Sequence, residues 1–169
     1  TYSEYVRLIN SRENFNALSY ISSHDTGSQD SKGIFYSDYS SGNVEKQMLA
    51  GSLLAMCPGG IQIYYGDEAG VCGFTDPDNR RTYPWGKEDQ ELLSFHKDMI
   101  RIHKAYPVLS SGSIRALAGE EYVIAYGRFD QKQKMAVAVN NDPKNARKVK
   151  LPVWTLGAAD GDLFEVVMF

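Results

Sequence analysis

The sequence predicts an α/β region followed by an antiparallel β module, with the boundary near residues 107–112. Three observations support this. Helix and strand patterns alternate in the first half, polar residues directly follow both of its strands, and the second half alternates apolar and polar residues. Alternating helices and strands favour parallel strands joined by crossover helices. The 169 residues suffice for one ordinary domain or for one and a half small ones.

The first half contains helix patterns on either side of two short strands. Apolar spacing predicts the end of a helix over residues 2–9 and a helix from Val44 to Met56. A third helix should begin near residue 88 and end before Pro107, with a buried stripe formed by Leu92, Phe95, Met99, Ile102 and Tyr106. The strands are predicted at residues 17–22 and 61–65, with loops at residues 26–43 and 69–86.

The second half contains four candidate strands, at residues 113–117, 122–129, 134–139 and 146–151. Polar connectors at 130–133 and 140–143 are typical of hairpins. The sequence therefore predicts a small antiparallel sheet.

Composition excludes several classes of protein. Hydrophobic residues make up 43% and charged residues 23%, which is typical of soluble globular proteins and not of disordered, collagen-like or coiled-coil chains. No apolar run approaches the roughly 20 residues of a membrane-spanning helix. The net charge of −3 gives no bulk attraction to nucleic acid or anionic lipid, so neither partner is expected.

Two cysteines, Cys57 and Cys72, show no metal-binding spacing, and we expect two free thiols and no metal or cofactor. A disulfide between them remains an alternative. We expect a cytoplasmic location, with which the low cysteine content is compatible. The chain begins with Thr1 and ends in an apolar run at residues 163–169, so we expect a piece of a longer protein.

Three segments together carry a family resemblance. Ser-His-Asp-Thr at residues 23–26 follows the first strand, Pro-Gly-Gly-Ile-Gln-Ile-Tyr-Tyr-Gly-Asp-Glu-Ala-Gly occupies residues 58–70, and Gly-Phe-Thr-Asp-Pro-Asp-Asn-Arg-Arg-Thr-Tyr-Pro-Trp occupies residues 73–85. Each is weak alone. Together they resemble the alpha-amylase family of glycoside hydrolases, and most closely its neopullulanase, cyclomaltodextrinase and maltogenic amylase group, over essentially the whole chain.

The resemblance implies a fold. Residues 1–108 would form the last part of a (β/α)8 TIM barrel, containing strands 7 and 8 with their flanking helices. Residues 109–169 would form an incomplete antiparallel β-sandwich, the C-terminal domain. The family's nucleophile Asp and acid/base Glu follow the fourth and fifth barrel strands, which this chain does not contain.

The resemblance also implies site residues. Asp25 matches the third catalytic carboxylate, which stabilises the transition state, and His24 matches a histidine that binds the same sugar ring. Asp76 and Arg80 match a loop that contacts donor-side sugars. The alternatives are ordinary: Asp25 could cap a turn, His24 could be structural, and Asp76 and Arg80 could form a surface ion pair.

Other residues are expected to have structural roles. Glu68 is interpreted as a structural carboxylate paired with an arginine. Tyr83 and Trp85 are expected to pack beneath a loop, although stacking on sugar is an alternative. His96 and His103, on a charged helix, are expected to take no part in chemistry.

The implied function is that of a retaining α-glucan hydrolase acting on α-1,4 bonds. Whether the enzyme also cleaves α-1,6 bonds is left open by the sequence. Its partner would be an α-glucan or maltooligosaccharide. The 169 residues alone should be inactive, because the nucleophile and the acid/base are absent. They should also self-associate, since two strands taken from a barrel leave their edges unpaired and an apolar face exposed. Two alternatives remain: a catalytically inactive amylase-like scaffold, and a carbohydrate-binding module.

Overall fold

The computed structural model describes residues 18–24, 43–73 and 77–168, which fall into two compact units. The first unit contains residues 18–24, 43–55, 61–73 and 77–101, and the second contains residues 56–60 and 102–168. The predicted helix at residues 2–9 and the predicted loop at 26–43 lie outside the described residues.

The first unit is built from two short strands and two helices. Strand β1 (Leu18–Tyr20) is hydrogen-bonded to strand β2 (Gly60–Gln62), and helix α1 (Asn43–Ala55) lies between them in the chain. Helix α2 (Gln90–Ala105) begins in this unit and continues into the second. Two single-turn 3-10 helices, Asp67–Ala69 and Asp78–Arg80, interrupt the long segment between β2 and α2. The predicted alternation of helix and strand is confirmed, with strands shorter than expected.

Helix α2 shows how closely local sequence signals determine its bounds. The Asp89 side chain accepts hydrogen bonds from the backbone N–H groups of Glu91 and Leu92, each at 2.9 Å, which caps the helix N-terminus. On the apolar stripe, Leu92, Met99 and Ile102 are buried. Burying this stripe supplies most of the stability of such a helix.

Helices α1 and α2 approach closely at a glycine. A Cβ atom added to Gly51 would lie 2.9 Å from Cε1 of Phe95, closer than carbon atoms pack without displacement. The absence of a side chain at position 51 therefore allows this contact inside the first unit.

The second unit contains a three-stranded antiparallel sheet. Its strands are β3 (Ser113–Gly119), β4 (Val123–Phe129) and β5 (Lys134–Asn140), in that order, and a short helix, α3 (Val108–Ser111), precedes β3. In the register, Ser113 lies opposite Phe129 and Val123 lies opposite Asn140, with one irregularity between Ala116 and Ala118. Three of the predicted strands are thus confirmed.

The prediction of a strand at 146–151 is wrong. Asp142 accepts hydrogen bonds from the backbone N–H groups of Lys144 and Asn145 at 3.0 and 3.2 Å, which turns the chain locally. Arg147 then donates to Asp142 at 2.6 Å and lies 5.0 Å from the centre of the Tyr122 ring. These local contacts hold the segment in an irregular, mostly exposed path in place of a strand ladder.

A buried arginine connects β4 to other parts of the second unit. The side chain of Arg128 is fully buried, and it donates to the carbonyl oxygens of Met56 and Gly112 at 2.7 and 2.9 Å. Burial lowers the pKa of this guanidinium, and interactions with Tyr126 and Cys57 oppose the effect. Two carbonyl acceptors compensate part of the cost of removing the charge from water.

Candidate functional site

A buried hydrogen bond joins the ends of the two strands of the first unit. Ser22 follows β1 and is fully buried, and its Oγ lies 2.7 and 2.8 Å from the two carboxylate oxygens of Asp67. His24 comes two residues later and is exposed. The contact therefore anchors the backbone beside His24.

Asp67, the acceptor of this hydrogen bond, is held in place by further contacts. Only 3% of it is exposed, and its backbone carbonyl accepts a hydrogen bond from Nε2 of Gln47, on α1, at 3.0 Å. The preceding residue, Gly66, has a φ of +94° and lies against Val71, where a Cβ would come within 2.7 Å. A glycine is required for this turn. The turn places Asp67 where β1, β2 and α1 meet.

Glu68, the next residue, has a different environment. Its carboxylate accepts the backbone N–H of Gly66 at 3.0 Å, and its negative charge acts on the phenol of Tyr83. The pKa of Tyr83 is raised, first by partial desolvation and then by the negative charge of Glu68. The hydrogen bond fits a structural role for Glu68, with the Gly66 amide as its described partner where an arginine was expected.

Two tyrosines connect the end of β2 to the segment that contains Arg80. The rings of Tyr64 and Tyr65 meet edge to face at 4.8 Å, and the Tyr65 hydroxyl donates to the backbone carbonyl of Arg81 at 2.7 Å. Desolvation and Tyr65 raise the pKa of Tyr64, while the positive charge of Arg80 opposes this rise. Arg80 therefore lies within electrostatic range of Tyr64, and its own side chain is exposed.

Of the predicted site residues, the structure describes His24 and Arg80 and places both in the first unit with exposed side chains. Asp25 and Asp76 lie outside the described residues. A surface ion pair does occur in the Arg80 segment, between Asp78 and Arg81 at 2.6 Å. Both partners are well exposed, so the pair contributes little to stability.

Sequence reasoning missed the buried polar residues Ser22, Asp67 and Gln47. The only available signal was an acidic pair directly after a strand, and the sequence could not tell which of the two acids points inward.

The expected packing of Trp85 beneath a loop is wrong, because 81% of this residue is exposed. His96 is buried, and its Nδ1 lies 2.8 Å from the Leu92 carbonyl oxygen, in a structural role.

The described segments contain no group of three His, Cys, Asp or Glu side chains suited to a metal ion. Cys57 and Cys72 are both free thiols, as predicted. Burial raises the pKa of Cys72, and the nearby charge of Arg81 partly opposes this. Within the same segments, no helix combines the length and apolarity needed to cross a bilayer.

No family model matches the chain. Over 85 residues it is 46% identical to an amylopullulanase of Thermoanaerobacter thermohydrosulfuricus, covering 50% of this chain and 6% of that protein. Over 84 residues it is 38% identical to a cyclomaltodextrinase of a Bacillus species, covering 47% of this chain and 15% of that protein. A solved cyclomaltodextrinase structure superposes with a TM-score of 0.64 at 30% identity, covering 76% of this chain and 22% of that one. This chain therefore spans a small part of each relative's length.

Proposed function

Because this chain is a relative of the alpha-amylase family of glycoside hydrolases, we propose that it forms part of a retaining α-glucan hydrolase that cleaves α-1,4-glucosidic bonds. The observation that carries the proposal is the hydrogen bond between Ser22 and Asp67. It joins the two segments, around His24 and around Glu68, whose combination in the sequence predicts the family. Functional side chains in α/β folds gather where strand ends meet loops, and these segments have that position.

In this proposal, β1 and β2 are the seventh and eighth strands of a (β/α)8 barrel formed by residues 1–108 and preceding chain. The sheet β3–β5 belongs to a C-terminal β-sandwich starting near residue 109. The exposed apolar side chains of β1 support the barrel assignment: Leu18 is 62% exposed and Tyr20 is 50% exposed. Apolar strand residues with this exposure are suited to packing against further strands and helices.

The proposed chemistry divides between this region and the rest of the protein. A retaining glycosidase uses two carboxyl groups about 5 Å apart, as nucleophile and as acid/base. Both would come from outside residues 1–169. Asp25 would accept hydrogen bonds from hydroxyl groups of the reacting sugar, and such charge-assisted bonds accelerate the reaction only as far as they strengthen in the transition state. His24 would donate a hydrogen bond to the same sugar.

The loop at residues 76–80 is proposed to contact donor-side sugars through Asp76 and Arg80. The exposure of Arg80 and its position within electrostatic range of Tyr64 support this part. Its guanidinium can donate to several hydroxyl oxygens at once. Substitution of Arg80 by Met should raise KM for maltooligosaccharides more than it lowers kcat.

The proposal is tested in the full-length protein with Asp25→Asn. This isosteric change removes the negative charge, and the loss of hydrogen bonds credited with several kcal/mol should lower kcat on maltodextrin by roughly a thousandfold or more. Asp98→Asn, the same change on an exposed face of α2, is the control and should leave kcat unchanged. Nuclear magnetic resonance of the first product should show the α-anomer. Wild-type protein without hydrolytic activity would favour the inactive scaffold instead.

Residues 1–169 alone give a second test. They are proposed to hydrolyse no maltodextrin, because the nucleophile and acid/base would be absent, and to self-associate through exposed apolar surface such as Leu18 and Tyr20. A measurable hydrolysis rate from the pure region would contradict the assignment of roles. A monodisperse monomer in light scattering would contradict the self-association.

A further inference from the structure

An exposed tryptophan stands at the corner of a tight turn in the first unit. The backbone N–H of Lys87 donates to the carbonyl oxygen of Pro84 at 2.8 Å, and Gly86 has a φ of +75°. This geometry places Trp85 at the first corner of a turn of type II, where Gly is favoured at the second. Within residues 1–169, Trp85 is 81% exposed.

The backbone on the C-terminal side of this turn is firmly held. The N–H of Gly86 donates to Oε1 of Glu88 at 3.1 Å, and the N–H of Asp89 donates to the carbonyl oxygen of Ala69 at 3.1 Å. Asp89 also caps α2. A side chain presented from such a backbone loses little further conformational entropy when it binds a ligand.

A second aromatic ring supports the first. The ring centres of Tyr83 and Trp85 are 4.5 Å apart with a tilt of 48°. The two rings therefore pack against each other at the base of the turn. Because Trp85 keeps most of its surface exposed despite this contact, the indole remains available as a flat apolar platform.

A cavity of about 580 Å³ is lined partly by this segment and partly by residues 69–72. Thr82, Pro84 and Lys87, which flank the two rings in the chain, line it together with Arg81 and Asp89. These side chains offer hydrogen-bond donors and acceptors. Their charges are nearly balanced, since Asp89 opposes the two cations and Arg81 is paired with Asp78.

We propose that Trp85, Tyr83 and this cavity form a subsite for one glucosyl unit of an α-glucan chain, with the indole as the stacking platform. This inference rests on the proposed function. One face of a pyranose ring presents C–H groups, which pack favourably on the negative face of an aromatic ring. The hydroxyl groups around the sugar rim require polar partners, and the residues of the cavity supply them.

The balance of charge favours a neutral polyhydroxylated ligand over a phosphate or an acidic polymer. An anion site would need an excess of cations directed at one point. A neutral glucan bound by stacking and hydrogen bonds should bind almost equally well at low and high salt, since no exposed charge pair is formed.

The test compares matched tryptophan variants of the full-length protein. Trp85→Ala removes the platform, whereas Trp154→Ala removes an indole that is 70% exposed in the second unit. With maltoheptaose as substrate, Trp85→Ala should raise KM about tenfold, with kcat nearly unchanged, as expected when a stacking contact made in both ground and transition state is lost. Trp154→Ala should leave both constants unchanged, and Trp85→Phe should restore part of the affinity.

The other outcomes are distinct. If Trp85→Ala and Trp154→Ala both behave like the wild type, the subsite is overturned while the hydrolase proposal stands. If Trp85→Ala lowers the thermal midpoint and kcat on every substrate, the indole packs against another part of the protein and the subsite is again overturned. If the wild type neither binds nor hydrolyses maltoheptaose, the proposed function is contradicted, and so is this inference, because it rests on that function.

Discussion

The hydroxyl of Ser22 lies within 2.8 Å of both carboxylate oxygens of Asp67, and both residues are buried. The two residues are separated by 45 positions in the chain. Their contact brings the segment that leads to His24 against the turn that follows β2. Several predictions about stability and function depend on contacts of this kind between distant residues.

Ser22→Ala should destabilise the protein by about 1–3 kcal/mol, because the buried carboxylate of Asp67 loses the hydroxyl donor of Ser22. Activity should fall as well, since His24 is two residues away. Ser94→Ala, on an exposed position of α2, is the matched control. Chemical denaturation and kcat/KM of the full-length variants measure both effects. Equal stability of the two variants would show that the hydrogen bond contributes nothing.

Gly51→Ala should also be destabilising, against the usual trend in helices. In an exposed helix the change is worth about 1 kcal/mol in favour of Ala. Here the new methyl group would lie 2.9 Å from the Phe95 ring, and overpacking of that kind costs about 1–3 kcal/mol. Adding Phe95→Leu should recover part of the loss relative to the sum of the single changes. A higher thermal midpoint for Gly51→Ala would refute the close packing of α1 on α2.

Arg128→Met should lower the free energy of unfolding by about 2–4 kcal/mol, since the carbonyl oxygens of Met56 and Gly112 would both be left buried without this donor. Arg115→Met is the control. Arg115 is exposed and donates to the carbonyl oxygen of Thr155, so its loss should cost well under half as much. Arg128→Lys should fall between the two, because an ammonium group lacks the planar fork that reaches both carbonyls.

The hairpin between β4 and β5 should loosen in acid. Asp130 accepts hydrogen bonds from the backbone N–H groups of Lys132 and Gln133, both at 2.7 Å, and these bonds hold its pKa below the ordinary 3.8. A carboxyl group whose folded-state pKa is lowered contributes stability above its unfolded pKa, and this contribution is lost as pH falls through the folded-state value.

Hydrogen exchange of the β4–β5 amides at decreasing pH, corrected for intrinsic exchange rates, measures this effect. Asp130→Asn keeps an acceptor oxygen but cannot titrate, so its hairpin protection should change less below about pH 4 than that of the wild type. Asp162→Asn, an exposed control near the C-terminus, should retain the wild-type profile. Identical acid profiles for Asp130→Asn and the wild type would contradict the role of Asp130.

Local patterns in the sequence predicted much of the fold. The apolar stripe of α2 and the acidic residues before it determined that helix, and alternation determined β3, β4 and β5. The strand predicted at 146–151 failed because Asp142 and Arg147 form a local network that competes with strand pairing. Side-chain hydrogen bonding of this kind leaves no trace in apolar periodicity.

The sequence by itself determined the order of elements, the motifs around His24 and Glu68, and hence the family that the comparisons support. Only the tertiary structure decided which polar groups meet: Ser22 with Asp67, and Arg128 with a carbonyl 72 residues away. It also decided that Trp85 is exposed and His96 buried. The physical reason is that periodicity records which face of an element is apolar, whereas the partner of a buried polar group is selected by contacts between segments that are distant in the chain.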